Sequence, residues 1–258
     1  MREFTSVVFS VVRYELRRAR TPIRAVTWIM LAAFPIALMW LARQVSRQDL
    51  PIEVASVSIY LLVPQVTCVL AMLMWATPTI QSEVEGQTWI YVALRPHGRP
   101  AIVIGKYIVS VIFAASAGCT AAIGSAVASG VDDVSRLASS ICALVLLSSL
   151  CYGAMYSLLG TLLYRRAMVM AVAFTLFIEL VLSIIPATIN KLTISYRLRS
   201  LLTHWLPLRI DSDAESLFAS TESTTAHIVQ LFLYVGITLT LAVITAHLRE
   251  YPVGGEPS

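Results

Sequence analysis

Six stretches of this chain run for about 18 residues or more with at most one charged side chain in each. They span roughly Ala25 to Ala42, Val54 to Ile80, Ile102 to Ser129, Leu137 to Tyr164, Ala167 to Ile189 and Ile228 to Ala246. A water-soluble fold has no place for six such runs, whereas each matches the ~20 residues that a helix needs to cross a bilayer core. Charged residues make up 13% of the 258, against about a quarter in a soluble domain. The expected fold class is therefore all-α, a polytopic membrane protein with about six transmembrane helices.

The net charge of +4 is explained by topology without any nucleic-acid partner, because no basic patch is interleaved with aromatics in a polar context. Arginines 2, 13, 17, 18, 20 and 24 cluster near the N-terminus, and Arg95, Arg99, Lys106, Arg165, Arg166 and Arg249 flank alternate ends of the runs. Arg43, Arg47 and Arg136 flank the other ends. By the positive-inside rule, both termini face the cytoplasm. Residues 1–24 place Phe4, Val8, Val12 and Leu16 four apart with the arginines crowded behind them. That pattern predicts an amphipathic helix at the membrane surface, reaching anionic headgroups, and the segment does not read as a cleavable signal peptide. Residues 25–248 form the transmembrane domain and 249–258 a cytoplasmic tail. A loop over about 190–226 is expected outside, its first half (KLTISYRLRSLLTHWLPL) able to form a short helix at the outer interface.

Inside the runs, small residues recur every four positions. Ala114, Gly118, Ala122 and Ala126 form one row, and Ser149, Gly153, Ser157 and Thr161 another. Such rows let helix backbones approach closely, either within the chain or against another subunit. Pro35 and Pro64 predict kinks satisfied by neighbours. Cys68, Cys119, Cys142 and Cys151 lack CxxC spacing and read as small buried hydrophobes, with no disulfide or metal role. Glu179 lies mid-span, where an ionised carboxylate costs about 2.5–3.5 kcal/mol. It is expected either to line a substrate path or subunit interface, or to be a protonated group bonded to a nearby Ser or Thr.

The segment SEVEGQTWIYVALRPHGRPAIVIGKY, from Ser82 to Tyr107, interrupts this apolar pattern with two carboxylates, three cationic side chains and two prolines. Ser82 and Glu85 have capping-box spacing, Glu83 and Glu85 suit a helix N-terminus, and Arg95 with Pro96 suits its end. A helix over about 82–96 is expected, offering Trp89, Tyr91 and Leu94 as apolar contacts. A simple connector would need only a few residues. A capped helix there suggests a docking element, the plain alternative being an interfacial helix anchored by Trp89 and Tyr91.

The order E-x-E-G-x-T, R-P, then G-K entering the third span resembles the membrane subunits of type-2 ATP-binding cassette exporters, the ABC-2 permeases. The matching positions are Glu83, Glu85, Gly86, Thr88, Arg95, Pro96, Gly105 and Lys106; SLLGTLLYRRAMVMA, from Ser157 to Ala171, is a weaker match. The resemblance implies that the loop is a coupling helix docking on a separate ATPase subunit. Glu83, Glu85, Trp89 and Arg95 would lie at or near the joint, and Arg165 and Arg166 would form a secondary contact. It further implies a second permease copy or paralogue, ATP and Mg held by the partner subunit, no cofactor in this chain, and a prokaryotic cell membrane.

Other classes are less consistent with the residues. GRPAIVIGKY mimics a phosphate loop, but Pro100 stands where its first glycine belongs and Tyr107 follows the lysine. No HExxH pair exists, and Ser125 and His247 fall at opposite ends of their spans. An enzyme is not expected. A secondary transporter or channel is the alternative; against it stand the missing inverted repeat and the missing chain of intramembrane acids.

Overall fold

The computed structural model describes residues 2–18, 21–47, 49–177, 193–206 and 223–251, and all regular structure among them is helical. Helix α1 (Arg2–Arg18) precedes α2 (Pro22–Ser46). Next come α3 (Ile52–Tyr60), a π-helical turn (Leu61–Thr67) and α4 (Cys68–Trp75), which together form one continuous rod. Two short helices, α5 (Gln81–Glu85) and α6 (Trp89–Ala93), lead into α7 (Gly98–Ser129), α8 (Val134–Leu162) and α9 (Ala167–Phe174). The described chain closes with α10 (Ile194–Trp205) and α11 (Thr224–Leu248).

Five of these stretches are long and apolar enough to cross a membrane: α2, the rod Ile52–Trp75, α7, α8 and α11. The remaining expected span begins as α9 and stays helical and apolar to 177. The rest of that stretch, Glu179 included, lies outside the described residues.

Local signals set the ends. Pro22 occupies the first turn of α2, where its missing N–H costs nothing. Gly130, at φ 75°, closes α7, and Asp133 Oδ1 accepts from the Arg136 amide at 3.2 Å to start α8. Ser223 Oγ accepts from the Ala226 amide at 3.3 Å to start α11.

The core sits where the rod, α7, α8 and α10 meet. Both small-residue rows are buried inside the chain. A Cβ on Gly118 would stand 2.7 Å from Val145 of α8, and one on Gly153 3.1 Å from Tyr107 of α7. The rows thus serve packing within the chain. Pro64 falls in the π-helical turn, whose widened register lets the Pro64 carbonyl accept from Ser148 Oγ at 2.7 Å. Cys68 and Cys151 are buried, and Cys119 and Cys142 are half-buried.

The first half of the expected external loop does form a short helix, α10, and it packs on the core: Leu198, Leu201 and Leu202 are wholly buried. With Ile194 they form one helical face, whose apolar side chains gain by leaving water. A polar network pins it there. Gln65 Nε2 donates to the Tyr60 hydroxyl at 2.7 Å, and Gln65 Oε1 accepts from Ser195 Oγ at 3.0 Å and Tyr152 Oη at 3.3 Å. Tyr60 Oη in turn donates to the Ser195 carbonyl at 3.0 Å.

Candidate functional site

The segment between α4 and α7 departs from its sequence reading in two ways. No capping box forms. Ile80 precedes α5 and offers no side-chain cap, while Ser82 lies inside the helix. The reason is that the chain enters α5 directly from a turn. The Ser82 amide already donates to the Pro78 carbonyl at 3.1 Å, and the Glu83 and Val84 amides donate to the Ile80 carbonyl at 3.0 Å. With those donors satisfied there is nothing for a cap to rescue. Glu85 instead accepts from Gln81 Nε2 at 2.7 Å.

Nor is there one helix over 82–96. The chain breaks at Gly86–Thr88, where Gln87 takes φ 54° and a Cβ on Gly86 would come within 3.0 Å of the Ser82 carbonyl. The second helix ends at Ala93. Arg95 and Pro96 then form a turn, closed by the Gly98 amide donating to the Arg95 carbonyl at 3.0 Å, with His97 at φ 60°.

Of the expected site residues, two point inward. Glu83 is 5% exposed and faces Lys106 of α7, with Nζ to Oε1 at 2.6 Å. Lys106 uses its other donors on the Thr79 carbonyl at 3.0 Å and Ser82 Oγ at 2.7 Å, so all three ammonium hydrogens are engaged. Thr88 Oγ1 donates to Glu83 Oε2 at 2.5 Å. Glu15, a buried carboxylate of α1, stands 3.9 Å from Lys106, and Arg18 reaches Glu83 at 3.8 Å. Burial works against ionisation of Glu83, but Lys106, the Thr88 hydroxyl and Arg18 outweigh it and hold the carboxyl below its usual value of 4.5. Helix α1, the loop and α7 are thereby tied by one buried charge cluster. Packing reinforces it, because Val11 of α1 sits where a Cβ on Gly105 would be, 2.6 Å away.

Trp89, 3% exposed, makes the second tie. Its ring meets Tyr251, just beyond α11, edge-on at 4.9 Å, and Tyr251 meets Tyr164, just beyond α8, at 5.2 Å. Burial pushes the Tyr251 phenol up to about 12, so it stays protonated and donates to the Thr161 carbonyl at 2.9 Å. Ile80, Ile102, Val103, Ala242 and Ala246 fill the space around these rings.

The remaining residues are exposed. They are Glu85, Gly86, Arg95, Pro96 and Thr88, whose hydroxyl still turns in to Glu83; Ile90, Tyr91 and Leu94 are exposed too, the last two at 73% and 79%. Between α1 and this loop runs a groove of about 400 Å³, lined by Ser10, Tyr14, Glu15, Thr88, Tyr91 and Arg95 among others. Arg165 and Arg166 are exposed in the α8–α9 turn at the same end of the molecule. Ser125 and His247 do not meet. The carbonyl of His247 accepts from Arg99 at 3.0 Å, and Ser125 lies about 39 Å further along α7 at ~1.5 Å per residue.

Glu15, Lys106 as an ion-pair partner, and Tyr251 were not singled out from sequence as partners of the loop. Glu15 falls on the stripe of Val8 and Val11, a weak signal that this carboxylate would be buried; Tyr251 carried no local signal. Among known protein families no family model matches the chain, and no curated protein matches it either.

Proposed function

We propose that this chain is the membrane-spanning permease subunit of an ATP-driven exporter, in which a separate ATPase subunit docks on the α5–α6 loop and moves it. The observation that carries the reading is the double clamp on that loop. One side is fixed by the Glu83–Lys106 pair to α7 and the other by Trp89–Tyr251 to the ends of α8 and α11. A loop held this way passes a push to three spans as a rigid body, which a slack connector could not do. Its outer surface supports the same reading. Tyr91 and Leu94 are presented with Arg95 beside a groove, and aromatic and arginine side chains are those enriched where proteins bind.

In this reading Glu83 and Trp89 transmit motion, while Glu85, Tyr91, Leu94 and Arg95 meet the partner. Gly86 and Thr88 shape the turn, and Pro96 ends it. ATP and Mg belong to the partner, and a second permease copy or paralogue completes the pathway. The protein would reside in a prokaryotic cell membrane with both termini in the cytoplasm.

The test is gentle solubilisation from the native membrane, followed by identification of what co-purifies and an ATP hydrolysis assay. An ATPase subunit should accompany the wild type, and a Tyr91→Ala/Leu94→Ala/Arg95→Ala variant should lose it. Glu83→Gln should keep the partner bound but reduce transport-coupled hydrolysis. Transport that follows an ion gradient with no ATPase present would replace this reading with that of a secondary transporter.

A further inference from the structure

Where α8 ends, α9 begins and α11 ends, three arginines surround a cleft of about 460 Å³. Arg165, Arg166 and Arg249 contribute the positive charge, against Glu250 alone. Their placement is built. Arg249 donates to the Leu162 carbonyl at the end of α8, and its guanidinium lies 5.7 Å from the centre of the Tyr164 ring. Arg165 Nε donates to the Tyr164 hydroxyl at 3.0 Å. Tyr164 is itself held by Tyr251. Two of the arginines are therefore oriented by one buried aromatic anchor, and both Arg165 and Arg166 stay exposed to a ligand.

The lining also has an apolar part. Leu162, Leu163 and Met170 belong to it, and apolar side chains stay exposed further along the helical stretch that begins with α9, Val169 at 67% and Phe177 at 74%. The cationic cleft thus adjoins an exposed apolar helix surface. An acidic protein segment would use the arginines and leave the apolar surface bare. A lipid uses both, with phosphate among the guanidinium groups and an acyl chain along α9.

We infer that the Arg165–Arg166–Arg249 cleft binds an anionic phospholipid of the leaflet it faces, headgroup phosphate among the arginines and acyl chain against α9. The inference rests on the chain's spanning the membrane and is independent of what drives transport.

The purified full chain, stripped of lipid in mild detergent, is titrated with phosphatidylglycerol or phosphatidylcholine and read by native mass spectrometry. Phosphatidylglycerol should bind the more tightly. Each arginine near a membrane surface contributes about fivefold, so R166Q should weaken it about fivefold and R165Q/R166Q about 25-fold, while R165K/R166K keeps most of the affinity. Equal binding of the two lipids by the wild type would overturn the proposal. So would unchanged phosphatidylglycerol affinity in R165Q/R166Q, or competition by glycerol phosphate as strong as by the intact lipid. If R165Q/R166Q keeps the lipid but loses a co-purifying ATPase, the cleft faces an acidic protein surface and the proposal fails. Because the titration contains neither ATP nor partner, its failure leaves the exporter reading separately testable.

Discussion

Lys106 carries more of the design than its place inside an apolar run suggests. An ammonium group in α7 is tolerable because every hydrogen has an acceptor and a carboxylate stands 2.6 Å away. Removing one member of a buried pair strands the other, which costs about 3–5 kcal/mol. Lys106→Met should therefore lower the melting temperature of the detergent-solubilised protein sharply, and Glu83→Gln less, since an amide can still accept from the ammonium. The same cluster sets a pH dependence. The folded-state pKa of Glu83 is depressed, so its contribution is complete above the ordinary value of 4.5 and is lost as pH falls through the lower folded value. Melting temperatures measured downward from pH 5 should fall more steeply in the wild type than in Glu83→Gln. Parallel curves would mean that the pair adds nothing to the loop's hold. Sequence showed Glu83 and Lys106 as separate positions of one pattern, but not that they touch, because their 23-residue separation is closed only by the packing of α5 on α7.

At the scale of the element, glycine positions separate close approach from open space. A Cβ on Gly160 of α8 would meet the Thr77 carbonyl oxygen of the turn after α4 at 2.3 Å, and backbone cannot swing away as a side chain can. Gly236 of α11 has nothing within 4 Å. Gly160→Ala should thus destabilise by about 1–3 kcal/mol through forced helix displacement, whereas Gly236→Ala should be neutral or gain up to about 1 kcal/mol from helix propensity. Thermal unfolding of the two variants side by side checks the contrast, and equal effects would refute the assigned approach of α8 to that turn. The small-residue rows were legible as packing faces from their spacing. Which helix each row met was not, since spacing defines a face but not its partner. Helix α10 shows the same division, its Leu face being readable and its destination not.

At the scale of the whole molecule, two ends can be distinguished by what they hold. One end gathers the charge cluster, the α5–α6 loop, the Tyr164–Tyr251 pair and the arginine cleft. The other gathers the Arg43–Asp49 pair at 2.7 Å, Gly130 beside it, and Arg136 reaching the Trp205 carbonyl at 3.4 Å. Spans joining these ends predict opposite exposure in a sealed vesicle. With the four native cysteines replaced, Leu94→Cys and Asp132→Cys should react with a membrane-impermeant maleimide from opposite faces. Labelling of both from one face would break the topology.

Read from residues alone, the chain settles its helical class and the extent of its apolar runs, because a bilayer core leaves backbone polar groups no partner but their own helix. It also marks the Ser82–Tyr107 segment as exceptional, since charges and prolines between two apolar runs need a local reason. Tertiary structure decided the rest. It broke the expected helix in two, turned Glu83 and Trp89 inward, left Tyr91, Leu94 and Arg95 outward, and joined the loop to Glu15 and Tyr251, which lie near opposite ends of the described chain. Helical periodicity assigns a residue to a face, but whether that face meets core, partner or lipid depends on contacts between residues far apart in sequence, and these exist only once the helices have packed.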